Sequence, residues 1–204
     1  MDRETRIAWL VDHNQRPRHR GRLPDADASV PGGNPGCGDV ITMYLKAKES
    51  EDRVAAVSFE GVGCTLSQAA ASILAERINR PKPAFAEVLA FSYEEMLDLL
   101  GRDIASSRPQ CATLALGTLK GAVKTVEMNR KLRAAGHTDE EIAELRRAIA
   151  AQAEGTGLVI GEGAERAARS LRTPPSGSSA AARWSALTRS RRRGCSPPPL
   201  TSDS

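Results

Sequence analysis

The sequence predicts an α+β fold: a small antiparallel three-stranded sheet packed against C-terminal helices. Three observations predict it. Apolar residues alternate with period two in consecutive segments between about residue 26 and residue 62, and after Cys64 they recur with a helical period. Strands followed by helices is the order of an α+β sandwich rather than of alternating βα units. Only 3% of residues are aromatic while alanine and leucine are plentiful, so the core is aliphatic.

Taken in order, TRIAWLVDH reads as a short N-terminal helix with Ile7, Leu10 and Val11 on one face. Pro17, Gly21 and Pro24 then break it. DASVPG is a candidate edge strand. VITMYLKAK alternates Ile41, Met43 and Leu45 against Thr42, Tyr44 and Lys46. After the polar turn ESED, the run RVAAVSFEG sets Ala55, Val57 and Phe59 on one face, so the two segments form an antiparallel pair. CTLSQAAASILAERINR changes the period to 3.6, with Leu66, Ala70, Ile73, Leu74 and Ile78 on one stripe, and stops before Pro81 and Pro83. SYEEMLDLLG carries a capping box, Ser92 with Glu95, and closes on Gly101. A long helix starts near Cys111, and a second capping box, Thr138 with Glu141, opens another.

At 204 residues the chain suits one domain with appendages. Its boundaries are expected at 1–135 for the site-bearing domain, 136–171 for a helical extension and 172–204 for a disordered Pro/Ser/Arg-rich tail. The tail holds six arginines against one acid, a surplus of five in a chain of net charge +4, which leaves residues 1–171 at about −1. The basic pI of 9.1 therefore belongs to the tail. A folded part with no basic excess argues against nucleic acid as the main partner. No run of about 18 apolar residues occurs and the N-terminus lacks an apolar signal segment, so a cytoplasmic protein without a membrane partner is expected.

The chemistry lies in three of the four cysteines. Cys37 stands between two glycines, with Asp39 two residues on; Cys64 follows FEGVG where a strand gives way to a helix; Cys111 opens a helix after SSRPQ. A cysteine used as a small hydrophobe belongs inside an apolar stripe, and these have glycine, proline and polar neighbours. Helix N-termini favour the thiolate, the form that binds metal or accepts sulfur. An odd number of cysteines in the folded part of a cytoplasmic chain makes disulfides a poor explanation. The spacings of 27 and 47 residues fit neither zinc-finger nor ferredoxin patterns. His13 and His19 are ligands by type only, His137 precedes a helix cap, and Cys195 lies beside RRRG in the tail.

NPGCGDVI, SFEGVGCTLSQAAAS and QCATLALGTLKGAV together resemble the three cysteine motifs of the NifU/IscU-type iron–sulfur cluster scaffold family, including its SufU-like branch. Order, local sequence and placement agree over about residues 5–130, roughly 60% of the chain. The resemblance implies a SufE/NifU-like sandwich and a carrier rather than an enzyme. Such a carrier assembles a transient [2Fe–2S] or [4Fe–4S] cluster from iron and sulfur supplied by a cysteine desulfurase, then passes it to apo iron–sulfur proteins. A homodimer around a shared cluster is one arrangement open to it. Cys37, Cys64 and Cys111 match the family's cluster-ligating or sulfur-accepting cysteines, and Asp39 matches its aspartate. The alternative is a SufU-like, Zn2+-dependent sulfurtransferase that uses the same four residues. DHNQRPRHRG, with His13 and His19, resembles a partner-facing or structural segment of the family.

The chain departs from the pattern in three places. Gln110 stands where many members have His and the SufU-like branch has Lys. No LPPVK-like segment precedes Cys111. The stretch from Cys64 to Cys111 is too short for the insertion of the SufU-like branch. Three thiolates leave a fourth position to Asp39, Gln110 or an exogenous thiol, and Asp39, the charged ligand, is favoured.

Overall fold

The computed structural model describes residues 1–152, the last five by their backbone alone. The order is α1 (Arg3–Gln15), β1 (Ala28–Asn34), β2 (Asp39–Ala47), β3 (Val54–Val62), α2 (Thr65–Asn79), α3 (Phe85–Ala90), α4 (Tyr93–Leu100), α5 (Arg102–Ala105), α6 (Pro109–Ala134) and α7 (Asp139–Gln152). The strands form one antiparallel sheet in the order β1-β2-β3. Helix α6 lies across β1 and β2, α2 lies on β3 beside α6, and α1 covers α2.

Strand alternation delivers Ile41, Met43 and Leu45 to the core as expected. In β3 the expected inward set changes at its first member. The pairing runs Lys46 with Ala56 and then Ala47 with Val54, so Ala55 is the extra residue of a bulge. A one-residue slip exchanges faces, and Val54, not Ala55, is buried with Val57 and Phe59.

Helix α2 is buried without interruption from Ser67 to Ala75, well beyond the stripe its periodicity predicts. Enclosed between the sheet, α6 and α1, it carries alanines and serines because those neighbours approach too closely for larger groups. Glycine does the same for α6 on the sheet: a Cβ at Gly32 would collide with the Thr118 side chain. At the far end, Arg130 of α6 holds the turn between β2 and β3. Its Nη1 donates to the Glu51 carbonyl (2.8 Å) and Asp52 Oδ1 (2.7 Å), and its Nη2 donates to the Lys48 carbonyl (2.7 Å).

Both capping boxes form as expected, Ser92 with Glu95 and Thr138 with Glu141. Helices α3 and α5 were not anticipated, because Pro81 and Pro83 read only as a break; Phe85 of α3 is nonetheless fully buried. The described part of the expected extension is α7, and residues 153–204, Cys195 and the Arg-rich tail included, lie outside the described residues.

The face assigned to α1 is corrected. Leu10 is buried, but Ile7 and Val11 are 38% and 36% exposed, and the other enclosed residue is His13 at 1%. The helix turns this edge to α2 because His13 finds a partner there: its Nδ1 is 2.8 Å from Ser72 Oγ. Ser72 Oγ also accepts the Arg18 backbone N–H (2.8 Å), and the other ring nitrogen, Nε2, lies 3.7 Å from Glu76 Oε2. Burial, with the Arg18 charge, pushes the His13 pKa below its usual value of 6.5. A lowered folded pKa means that His13 contributes its full stability above about pH 6.5, and that this is lost as pH falls below that value. The melting temperature is expected to drop between pH 7.5 and 5.5, and to drop less in His13→Gln; equal slopes in thermal melts of both proteins would remove His13 as the cause.

Candidate metal centre

The first thiol hangs on a tight loop built by Asn34. Its carbonyl accepts N–H bonds from Cys37 (3.2 Å) and Gly38 (2.8 Å), and its Oδ1 accepts from the Gly36 N–H (3.2 Å). Gly38 follows with φ +70°, which a glycine adopts without strain. The chain thereby reverses from β1 into β2, with Asn34 paired to Asp39.

Asp39 opens β2 and is 3% exposed. Its Oδ1 accepts the Cys64 N–H (3.0 Å), while Oδ2 is buried without a partner among the described residues. Cys64 is the N-cap of α2 and makes no side-chain cap bond. Gly63 leaves room for this approach, since a Cβ there would strike Ser67 Oγ and the Asp39 carboxylate. Cys111, at the third position of α6, is 1% exposed; its Sγ lies 3.4 Å from Cys37 Sγ and 3.7 Å from Asn34 Nδ2.

Ligand atoms of Cys37, Asp39 and Cys111 all fall within 4.8 Å of one another, the metal-holding group among the described residues. Cys64 stands beside that group but is not one of the three whose ligand atoms lie within 4.8 Å of one another. The neighbouring Cys111 thiol, helped by the Ser67 N–H, pulls the Cys64 pKa down to about 6 against burial and the Asp39 charge. As the donor in a buried position, Cys111 is pushed well above the ordinary thiol range.

The donor set fits a metal ion. Two thiolates on one tetrahedral ion with metal–sulfur bonds near 2.3 Å lie about 3.8 Å apart, so the 3.4 Å pair has only to open by about 0.4 Å. A partnerless carboxylate oxygen beside them is an acceptor awaiting a cation.

Of the four expected residues, Cys37, Asp39 and Cys111 come together, and Cys64 is tied to them by its backbone N–H on Asp39 Oδ1. Gln110 does not join them: it is exposed and lines a groove of about 480 Å³ with Pro35, Tyr93, Leu114, Lys120 and Lys124. His13 is committed to Ser72, and no histidine belongs to the group. The sequence reading missed Asn34 and Ser67; GGNPG signals a side-chain-stabilised turn at Asn34, while Ser67 carries no signal that separates it from a helix surface.

Residues 8–133 match the model of the NifU-like N terminal domain. The chain belongs to that family. Among NifU-like relatives it is 33% identical over 153 residues to the "Iron-sulfur cluster assembly scaffold protein IscU" of Streptococcus pyogenes serotype M1, covering 68% of this chain and 91% of the relative. It is 33% identical over 131 residues to the "Zinc-dependent sulfurtransferase SufU" of Bacillus subtilis (strain 168), covering 56% and 87%. A crystal structure of a hypothetical protein superimposes with a TM-score of 0.51 at 31% identity, covering 59% of this chain and 98% of that one. These likenesses agree with the three-stranded sheet and helices of the NifU-like domain described above. Among the described residues, no helix is long and apolar enough to cross a membrane.

Proposed function

We propose that this NifU-like protein is an iron–sulfur cluster assembly scaffold that takes iron and desulfurase-derived sulfur on Cys37, Cys64 and Cys111 and passes the cluster to apo-proteins. The observation that carries the reading is the buried Asp39 Oδ2, partnerless beside two thiols 3.4 Å apart. Thiolates suit iron and sulfide, and the harder carboxylate is the weaker ligand for a cluster, which favours a cargo that must leave. The protein is a carrier on this reading. Cysteine desulfurase as sulfur source, cytoplasmic work and either cluster nuclearity are consistent with it.

One observation favours a second reading, a zinc-dependent sulfur acceptor. Cys64 is the thiolate of the group, held near pKa 6. It is therefore the nucleophile that would attack the outer sulfur of a desulfurase persulfide, forming a new S–S bond on Cys64 while the donor cysteine leaves as thiolate. Anaerobic addition of iron and sulfide decides between the two. A brown protein with charge-transfer absorption that activates an apo-acceptor supports the scaffold; stoichiometric tight zinc and no cluster supports the acceptor and ends the first reading.

A further inference from the structure

Buried side-chain polar atoms beside the start of α2 lack hydrogen-bond partners among the described residues. One is Oδ2 of Asp39, a member of the metal-holding group with Cys37 and Cys111. The other is Gln68, 5% exposed, whose Nε2 and Oε1 are both enclosed without a hydrogen bond. An unsatisfied carboxamide in a protein interior is destabilising, and an alkyl side chain of similar size would fill the same space without that cost.

Gln68 stands one turn into α2, its backbone N–H donating to the Cys64 carbonyl (3.1 Å). Residues four apart share a helix face, and helical side chains lean toward the N-terminus, so this amide is carried over the turn that begins at Cys64. Ser67 is not a competitor, since its hydroxyl is committed to the Cys64 carbonyl (3.0 Å). The Cys64 sulfur makes no capping bond to its own helix.

We propose that Gln68 is a positioning residue for the cargo: when Cys64 binds metal, the Gln68 Nε2–H donates to the Cys64 sulfur and holds it on the ion. This rests on the reading of the thiol group as the cargo site. Donors to ligating atoms orient the ligand and tune its basicity, and their loss weakens metal binding about 10- to 100-fold.

The test compares the full chain with Gln68→Leu, using zinc affinity against a chromophoric chelator and the melting temperature of the metal-free protein. Gln68→Leu is expected to bind zinc 10- to 100-fold more weakly while the metal-free melting temperature stays level or rises, since the orphan amide is gone. Gln68→Met, unbranched and without an N–H donor, replaces it if Leu does not fold. Unchanged zinc affinity overturns the proposal, as does a loss of affinity matched by lower metal-free stability in both variants, which marks packing alone. Wild-type protein that holds neither zinc nor cluster overturns the cargo-site reading itself.

Discussion

Cys111→Ala is expected to abolish charge-transfer absorption after anaerobic reconstitution and to weaken zinc binding by at least a hundredfold. Structural zinc bound by four ligands is worth about 10–16 kcal/mol, so one ligand averages roughly 3 kcal/mol, a factor of more than 100 at about 1.4 kcal/mol per decade. Cys111 is the member placed to lose most, because it is buried and its sulfur lies 3.4 Å from that of Cys37. The substitution also removes the thiol that lowers the Cys64 pKa. In wild-type protein Cys64 alkylation should turn on with a midpoint near pH 6, since the thiolate is the reactive form and predominates above the pKa. In Cys111→Ala that midpoint moves up, toward an ordinary thiol. Iodoacetamide labelling across pH 5–9 with peptide mapping reads it, and an unmoved midpoint shows that Cys111 is not the cause. Circular dichroism separates these effects from unfolding.

Asp39 is predicted to govern release. Asp39→Ala should weaken zinc by about a hundredfold, on the same average per ligand, yet slow delivery of an assembled cluster to an apo-acceptor. The carboxylate is the hard ligand in a soft set, so it holds zinc well and a cluster loosely; without it and its charge the cluster retains only the tighter thiolate bonds. The structure adds a complication: Asp39 Oδ1 also accepts the Cys64 N–H, so Ala deprives the N-cap of α2 of a partner. Asp39→Asn separates the roles, because an amide oxygen keeps that bond and gives up the charge. Transfer rates and zinc affinities of Asn and Ala variants should change together. If Asn behaves as wild type and only Ala differs, Asp39 is a loop-capping residue and its ligand role fails.

Wherever local physics suffices, the sequence already states the result. Period-two alternation places Ile41, Met43 and Leu45 inward, Ser92 and Thr138 start their helices, and glycines flank Cys37 in the turn between β1 and β2. Three thiols at loop-to-element junctions, with Asp39 two residues after the first, point to metal or sulfur chemistry without any structure. What the sequence cannot state is whatever depends on a partner distant along the chain. Exposed Ile7 and Val11 and buried His13 follow from Ser72, 59 residues away on α2. Val54 replaces Ala55 in the core because the pairing with β2 slips by one. Cys111 meets Cys37 only where α6 is laid beside β1, bringing sulfurs 74 residues apart to 3.4 Å. Gln68 shows the limit most clearly, since its place in an alanine-rich helix looks like surface by composition. Burial on all sides of α2 is what encloses its amide with no partner among the described residues. Propensity and periodicity act over a few residues, whereas hydrogen-bond satisfaction and pKa are set by whatever the fold packs against a group.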